Sequence, residues 1–159
     1  MHATAAAGNH YAAGGSPSAT SLSGEKESMN QNTQSDLGKL VLRLALGILI
    51  LLHGIAKLRG GLSMIEGMLA AHGLPTFLAY GALVGEVLAP LMLILGFYAR
   101  IGALLVVVNM LFAFALVHLG QLGLLNEQGG WALELQGMFL ASAVALALLG
   151  PGRYGVNGR

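Results

Sequence analysis

Apolar residues in this chain fall into long blocks instead of strict alternation, and the blocks have the length of membrane-crossing helices. Four of them, at 40–58, 76–98, 101–119 and 131–149, predict four helices. At about 1.5 Å per residue, such segments come close to the roughly 30 Å of a bilayer's hydrocarbon. The first contains the uncharged run LALGILILL, with Arg43 one turn inside one end and Lys57 near the other. Arg43 is expected to snorkel, and Asp36 offers an N-cap. The second carries Glu86 near its centre, and Pro90 predicts a kink. Arg100 marks a very tight turn into the third block, and Pro151–Gly152 ends the fourth.

The intervening polar stretches read differently. In RGGLSMIEGMLAAHGLP, Ser63 and Glu66 have capping-box spacing, Ile65, Met68 and Leu69 form one stripe, and Gly73 and Pro75 stop the helix. The segment is too short to cross, so it predicts an interfacial helix with His72 at its wet end. Residues 1–36 are rich in Ala, Gly, Ser, Asn and Gln without helical periodicity, which predicts a disordered tail. They lack both the basic start and the apolar core of a secretion signal, and His2 and His10 are expected in solvent. Loop 120–130 is short and polar. The expected fold class is therefore all-α: a four-helix transmembrane bundle over 37–154, with a short outer-side interfacial helix, the N-terminal tail 1–36 and a C-terminal tail 155–159. No internal repeat supports an inverted-repeat transporter.

Composition narrows the class. The chain is 55% hydrophobic and 9% charged, against about 25% charged in soluble domains. Four such helices in water would have almost nothing to cover their outer faces. A net charge of +1 without a Lys/Arg tract leaves no footprint for nucleic acid. The absence of Cys removes disulfides, thiolate ligands, Cys-ligated iron–sulfur clusters and thiol redox chemistry. With both termini cytoplasmic, Lys26, Lys39, Arg43, Arg100, Arg153 and Arg159 lie inside and only Lys57 and Arg59 outside, which accounts for all 8 basic residues. The positive-inside rule selects that topology. Phe77 and Trp131 then mark the outer interface, and Tyr98 and Tyr154 the inner one.

Five polar residues remain inside or at the edge of the bundle: His53, Lys57, Glu86, His118 and Glu134. In this topology all five fall in its outer half. A charge near a helix centre costs roughly 2.5–3.5 kcal/mol, so Glu86 requires a proton, a partner or a polar cavity. His53 and Lys57 lie one turn apart on one face, at depths that reach Glu86. The expected pairs are Glu86 with His53 or Lys57, and Glu134 with Lys57 or His118. Such a cluster either glues helices together or lines an outward-facing pocket for a polar ligand, a quinone headgroup or protons. His53 and His118 are also the two histidines available as haem ligands, although their levels differ by more than a turn. Glu66, His72 and Glu134 lack the spacing of a metal site, so none is predicted. Gly47, Gly54, Gly81 and Gly85 suit close helix packing, and Asn109 and Gln136 interhelical hydrogen bonds.

In LRLALGILILLHGIAKL, GLP, GALVGEVLAPLMLILGFYARIGAL and WALELQGMFLASAVALALLGPGRYG, the chain resembles the DoxX-like family of four-helix bacterial and archaeal membrane proteins. The resemblance covers about 40–154. Its HG-x-x-K corresponds to His53-Gly54-Ile55-Ala56-Lys57, its GE to Gly85-Glu86, and its last-helix Glu to Glu134. Val87-Leu88-Ala89-Pro90 replaces the usual small residues after GE. The resemblance implies a bacterial or archaeal plasma membrane and a small subunit associated with other membrane or redox proteins. A tightly bound cofactor is not implied; quinone or a small anion is the implied diffusible partner. The enzyme reading is thiosulfate-to-quinone transfer, with Lys57 steering the anion and Glu86 or Glu134 handling protons. A small transporter or a purely structural protein is the third reading.

Overall fold

A computed structural model describes residues 19–157, with side chains from Glu27 onward. The described chain is all helical apart from turns and one isolated antiparallel bridge, Leu125 with Trp131. Helix α1 is Ala19–Gly60 and helix α2 is Ser63–Ala71. Two longer helical runs follow, α3 over Thr76–Leu95 and α4 over Ala99–Gln121. The last, α5, is Glu134–Leu149. Among the described residues, 19–32 belong to one unit and Thr33 onward to another.

Three helices among the described residues are long and apolar enough to cross a bilayer: Glu27–Gly60 within α1, α3 and α4. Only 22–33% of their most apolar windows is buried. Leu49, Leu52, Leu91, Leu104, Leu111 and Leu148 point outward. In water such a surface would aggregate; in hydrocarbon it is the solvated face. The chain is a multi-pass membrane protein. Inside, Leu46 and Ile50 of α1 meet Leu93, Val106, Phe139 and Leu146 in one core.

Several local expectations need correction. Residues 19–36, expected as disordered, form the first part of α1, while residues 1–18 of the expected tail lie outside the described residues. Asp36 is thus interior to the helix instead of capping it, and accepts a 3.2 Å hydrogen bond from Lys39. Ser63 and Glu66 make no capping box: Leu62 is the N-cap of α2, without a side-chain bond. Gly73 does end this helix, at φ +68°, as the pattern anticipates. Helix α5 starts at Glu134 and not at 131. Trp131 is held in the preceding loop, donating its indole N–H to the Leu122 carbonyl at 2.9 Å and stacking on Phe114.

The turn between α3 and α4 is tight because Gly96 takes the left-handed conformation at φ +69°, closing α3 with a Phe97 N–H to Met92 carbonyl bond of 3.0 Å. Arg43 approaches this turn. Expected to snorkel, it is instead 1% exposed and donates to the Pro151 and Tyr154 carbonyls, both at 3.0 Å. The segment after α5 is further tied down by Val156 and Asn157 N–H groups on the Leu95 and Gly96 carbonyls, each at 3.3 Å. Both acceptors of Arg43 lie beyond the end of α5, so the guanidinium ties this segment to α1, while its Nε is buried without a hydrogen-bond partner.

Candidate functional site

Lys57 lies in the last turn of α1, where its long stem crosses apolar surface and delivers the ammonium to Glu86. Glu86 sits in a π-helical turn, Val84–Leu88, in the middle of α3. Such turns widen a helix by one residue and recur at functional positions. Pro90, two residues beyond this turn, has no N–H to offer the Glu86 carbonyl four residues back. Gly54 of α1 faces this same carbonyl, so closely that a Cβ there would collide with it. Two unusual backbone features therefore converge on the residue that carries the buried charge.

The Glu86 carboxylate is asymmetrically served. Oε1 accepts from the Lys57 ammonium and, at 3.2 Å, from the Asn109 amide of α4. Oε2 is buried with no hydrogen-bond partner. An unsatisfied buried acceptor costs about 1–3 kcal/mol, more when charged. Gly85 makes the Asn109 contact possible, since any side chain there would meet Asn109. Glu86 is 7% exposed and Lys57 30%, so the carboxylate lies behind the ammonium.

His53, one turn before Lys57, donates Nδ1–H to its own helix's Leu49 carbonyl at 2.9 Å and meets the Phe139 ring edge to face. His118 closes a second π-turn, Phe114–His118, and its Nδ1 lies 2.9 Å from the Gln121 amide oxygen. Both imidazoles, Lys57 and Glu86 line one cavity of about 140 Å³, whose remaining wall includes Met110, Gln136 and Phe139. A larger groove of about 500 Å³, bordered by Leu111, Phe114 and Leu140, is almost wholly apolar. The polar side chains therefore gather around the smaller space.

Of the sequence-predicted residues, then, His53, Lys57, Glu86 and His118 come together. Glu134 does not: it is exposed at the first turn of α5, beside Gly130, and no ion pair among the described residues joins it to Lys57 or His118. Its position suits a carboxylate at a helix N-terminus. His53 and His118 both line the smaller cavity, each with its Nδ1 engaged. No cluster of three metal-ligating side chains occurs among the described residues. Gly47 and Gly54 do pack closely, against Pro90 and Glu86 respectively, whereas Gly81 faces open space. Asn109 had been legible as an interhelical donor, but its partner was not.

Comparison with known proteins bears on the same residues. A Bacillus subtilis (strain 168) protein named "Putative oxidoreductase CatD" is 28% identical over 110 residues, which cover 69% of this chain and 81% of that protein. No solved structure gives a significant match. The DoxX family model matches residues 38–119, a segment that includes His53, Lys57, Glu86 and His118 of the cavity and excludes its fifth polar side chain, Gln136, as well as Glu134. By that match, which takes in more than half of its length, the chain belongs to the DoxX family.

Proposed function

We propose that this protein is a small redox-associated subunit of a bacterial or archaeal plasma membrane, with a pocket for a quinone headgroup. The observation that carries the proposal is the meeting of His53, Lys57, Glu86 and His118 around one small cavity. Apolar walls with a few convergent polar groups are what a small-molecule site requires. The similarity to a protein named as an oxidoreductase adds the redox context. In this reading the chain crosses four times, α5 being the shortest crossing, and α2 lies along the outer interface. Both termini are cytoplasmic, so the cavity opens outward. Other membrane or redox proteins supply the electron transfer.

The test is titration of the nanodisc-embedded protein with a short-tailed quinone. Micromolar binding by the wild type, and at least tenfold weaker binding by Glu86→Gln and Lys57→Met variants that still assemble, is the expected result. No saturable binding by the wild type sinks the proposal.

A structural reading also has a specific observation behind it: Lys57, Glu86 and Asn109 join three helices directly. Under that reading the same variants lose thermal stability and leave quinone binding and partner retention unchanged.

A further inference from the structure

The hydrogen-bonding polarity of the cavity says which kind of headgroup suits it. Lys57 is the one cation among its lining residues, and Glu86 already neutralises it. The second carboxylate oxygen, Oε2, has no partner and adds negative potential nearby. An anion entering here would meet a compensated ammonium and an uncompensated carboxylate oxygen. Charge therefore opposes anion binding.

The imidazoles point the same way. His53 commits its Nδ1–H to a backbone carbonyl, which can only accept. In the neutral ring, Nε2 is then a lone pair. His118 turns Nδ1 to the Gln121 amide oxygen, also an acceptor, and leaves its Nε2 in the same state. The lining thus offers two imidazole acceptors and the Gln136 amide, which can donate or accept, together with the ammonium N–H groups that Glu86 does not use. A hydroxyl can accept from Lys57 and donate to an imidazole at once; a carbonyl oxygen can only accept. The flat apolar walls at Ile50, Met110 and Phe139 suit a ring.

From this polarity we infer that the cavity is built for an uncharged ring bearing hydroxyl groups. The reduced, hydroxylated form of its ligand binds more tightly than the oxidised carbonyl form, and inorganic anions are excluded. His53 and His118 are the residues that read the difference. The inference rests on the proposed headgroup site and adds the preferred charge and hydrogen state of the ligand.

The experiment is anaerobic calorimetric titration of the nanodisc-embedded full chain with three probes: 2,3-dimethoxy-5-methyl-hydroquinone, the corresponding benzoquinone and thiosulfate. Expected is hydroquinone binding on the order of tenfold tighter than quinone, the worth of about one hydrogen bond. Thiosulfate should neither bind nor compete. His53→Phe and His118→Phe should each weaken hydroquinone more than quinone and shrink the ratio, with thermal midpoints near that of the wild type. If one variant fails to assemble, the other carries the test. Equal or tighter quinone binding overturns the inference while leaving the headgroup site standing, as does competition by thiosulfate. Failure of both rings to bind removes the site and the inference together.

Discussion

Gly54 lies against the main-chain carbonyl of Glu86, the oxygen to which Pro90 cannot donate. A proline, a π-turn and a glycine on the neighbouring helix are parts of one arrangement that sets the height and direction of the Glu86 side chain. Gly54→Ala should therefore force α1 and α3 apart, at a cost on the order of 1–3 kcal/mol or more, since the obstruction is backbone. Gly81→Ala, with open space around it, should be neutral or slightly stabilising. Unfolding in mixed micelles, compared for the two variants, checks this; equal effects would contradict the close approach.

Removing one member of the Lys57–Glu86 pair should not be symmetric. Lys57→Met leaves a buried carboxylate served by Asn109 alone, whereas Glu86→Gln leaves a partly exposed ammonium that can turn to water. Lys57→Met should be the more damaging, by about 1–3 kcal/mol relative to Glu86→Gln. The double variant should lose less than the sum of the singles. Additive losses measured in the same unfolding assay would show the two groups to be energetically independent.

Asn109 offers a sharper test of geometry. Asn109→Ala removes one neutral donor from Glu86 Oε1 and should cost roughly 1–2 kcal/mol. Gly85→Ala should be harmful on its own and remain so in the Asn109→Ala background, because the first atom its Cβ meets is the Cβ of residue 109. Rescue by Asn109→Ala would mean that the amide, and not the helix spacing, creates the conflict.

The apolar blocks made the helices legible because hydrocarbon solvation leaves so little choice of residue on the outer face. Depth along each helix likewise made Lys57 a candidate partner for Glu86, since both heights follow from a fixed rise per residue. Rotation about a helix axis has no such simple signature. The two π-turns shift it by local hydrogen bonding, so Asn109 could be recognised as a donor without its acceptor. Glu134 stands apart from the cavity for a different reason: the Trp131 loop delays the start of α5 by one turn and leaves that carboxylate outside it. The helical character of 19–36 was hidden because its polar side chains have no apolar face to reveal a period.

Topology is directly accessible because the chain has no cysteine. Single Ser35→Cys and Arg59→Cys variants in intact cells should differ, the second reacting with an impermeant maleimide and the first only after lysis. The opposite labelling pattern would invert the orientation and turn the cavity toward the cytoplasm.

The Arg43 contacts predict a protected C-terminus. Arg153 is exposed and offers a trypsin site just before Tyr154, whose carbonyl Arg43 holds. Arg43→Gln should speed cleavage there by at least about tenfold, as expected when charge-assisted hydrogen bonds that hold a segment are removed. Arg43→Lys should fall between it and the wild type. Release of the Tyr154-initiated peptide, followed by mass spectrometry, gives the rates; identical rates in all three proteins would mean that the segment is held without Arg43.

Arg43 and Tyr154 are 111 residues apart. Because α1 is synthesised early, its arginine enters the bilayer before the carbonyls that will receive it exist. During insertion the guanidinium must lean on lipid phosphate, water or the translocation machinery, and it exchanges those companions for Pro151 and Tyr154 only after α5 has been made. A segment made after α5 thus completes α1, and a chain interrupted before it would leave a lone cation at the membrane boundary for quality control to find.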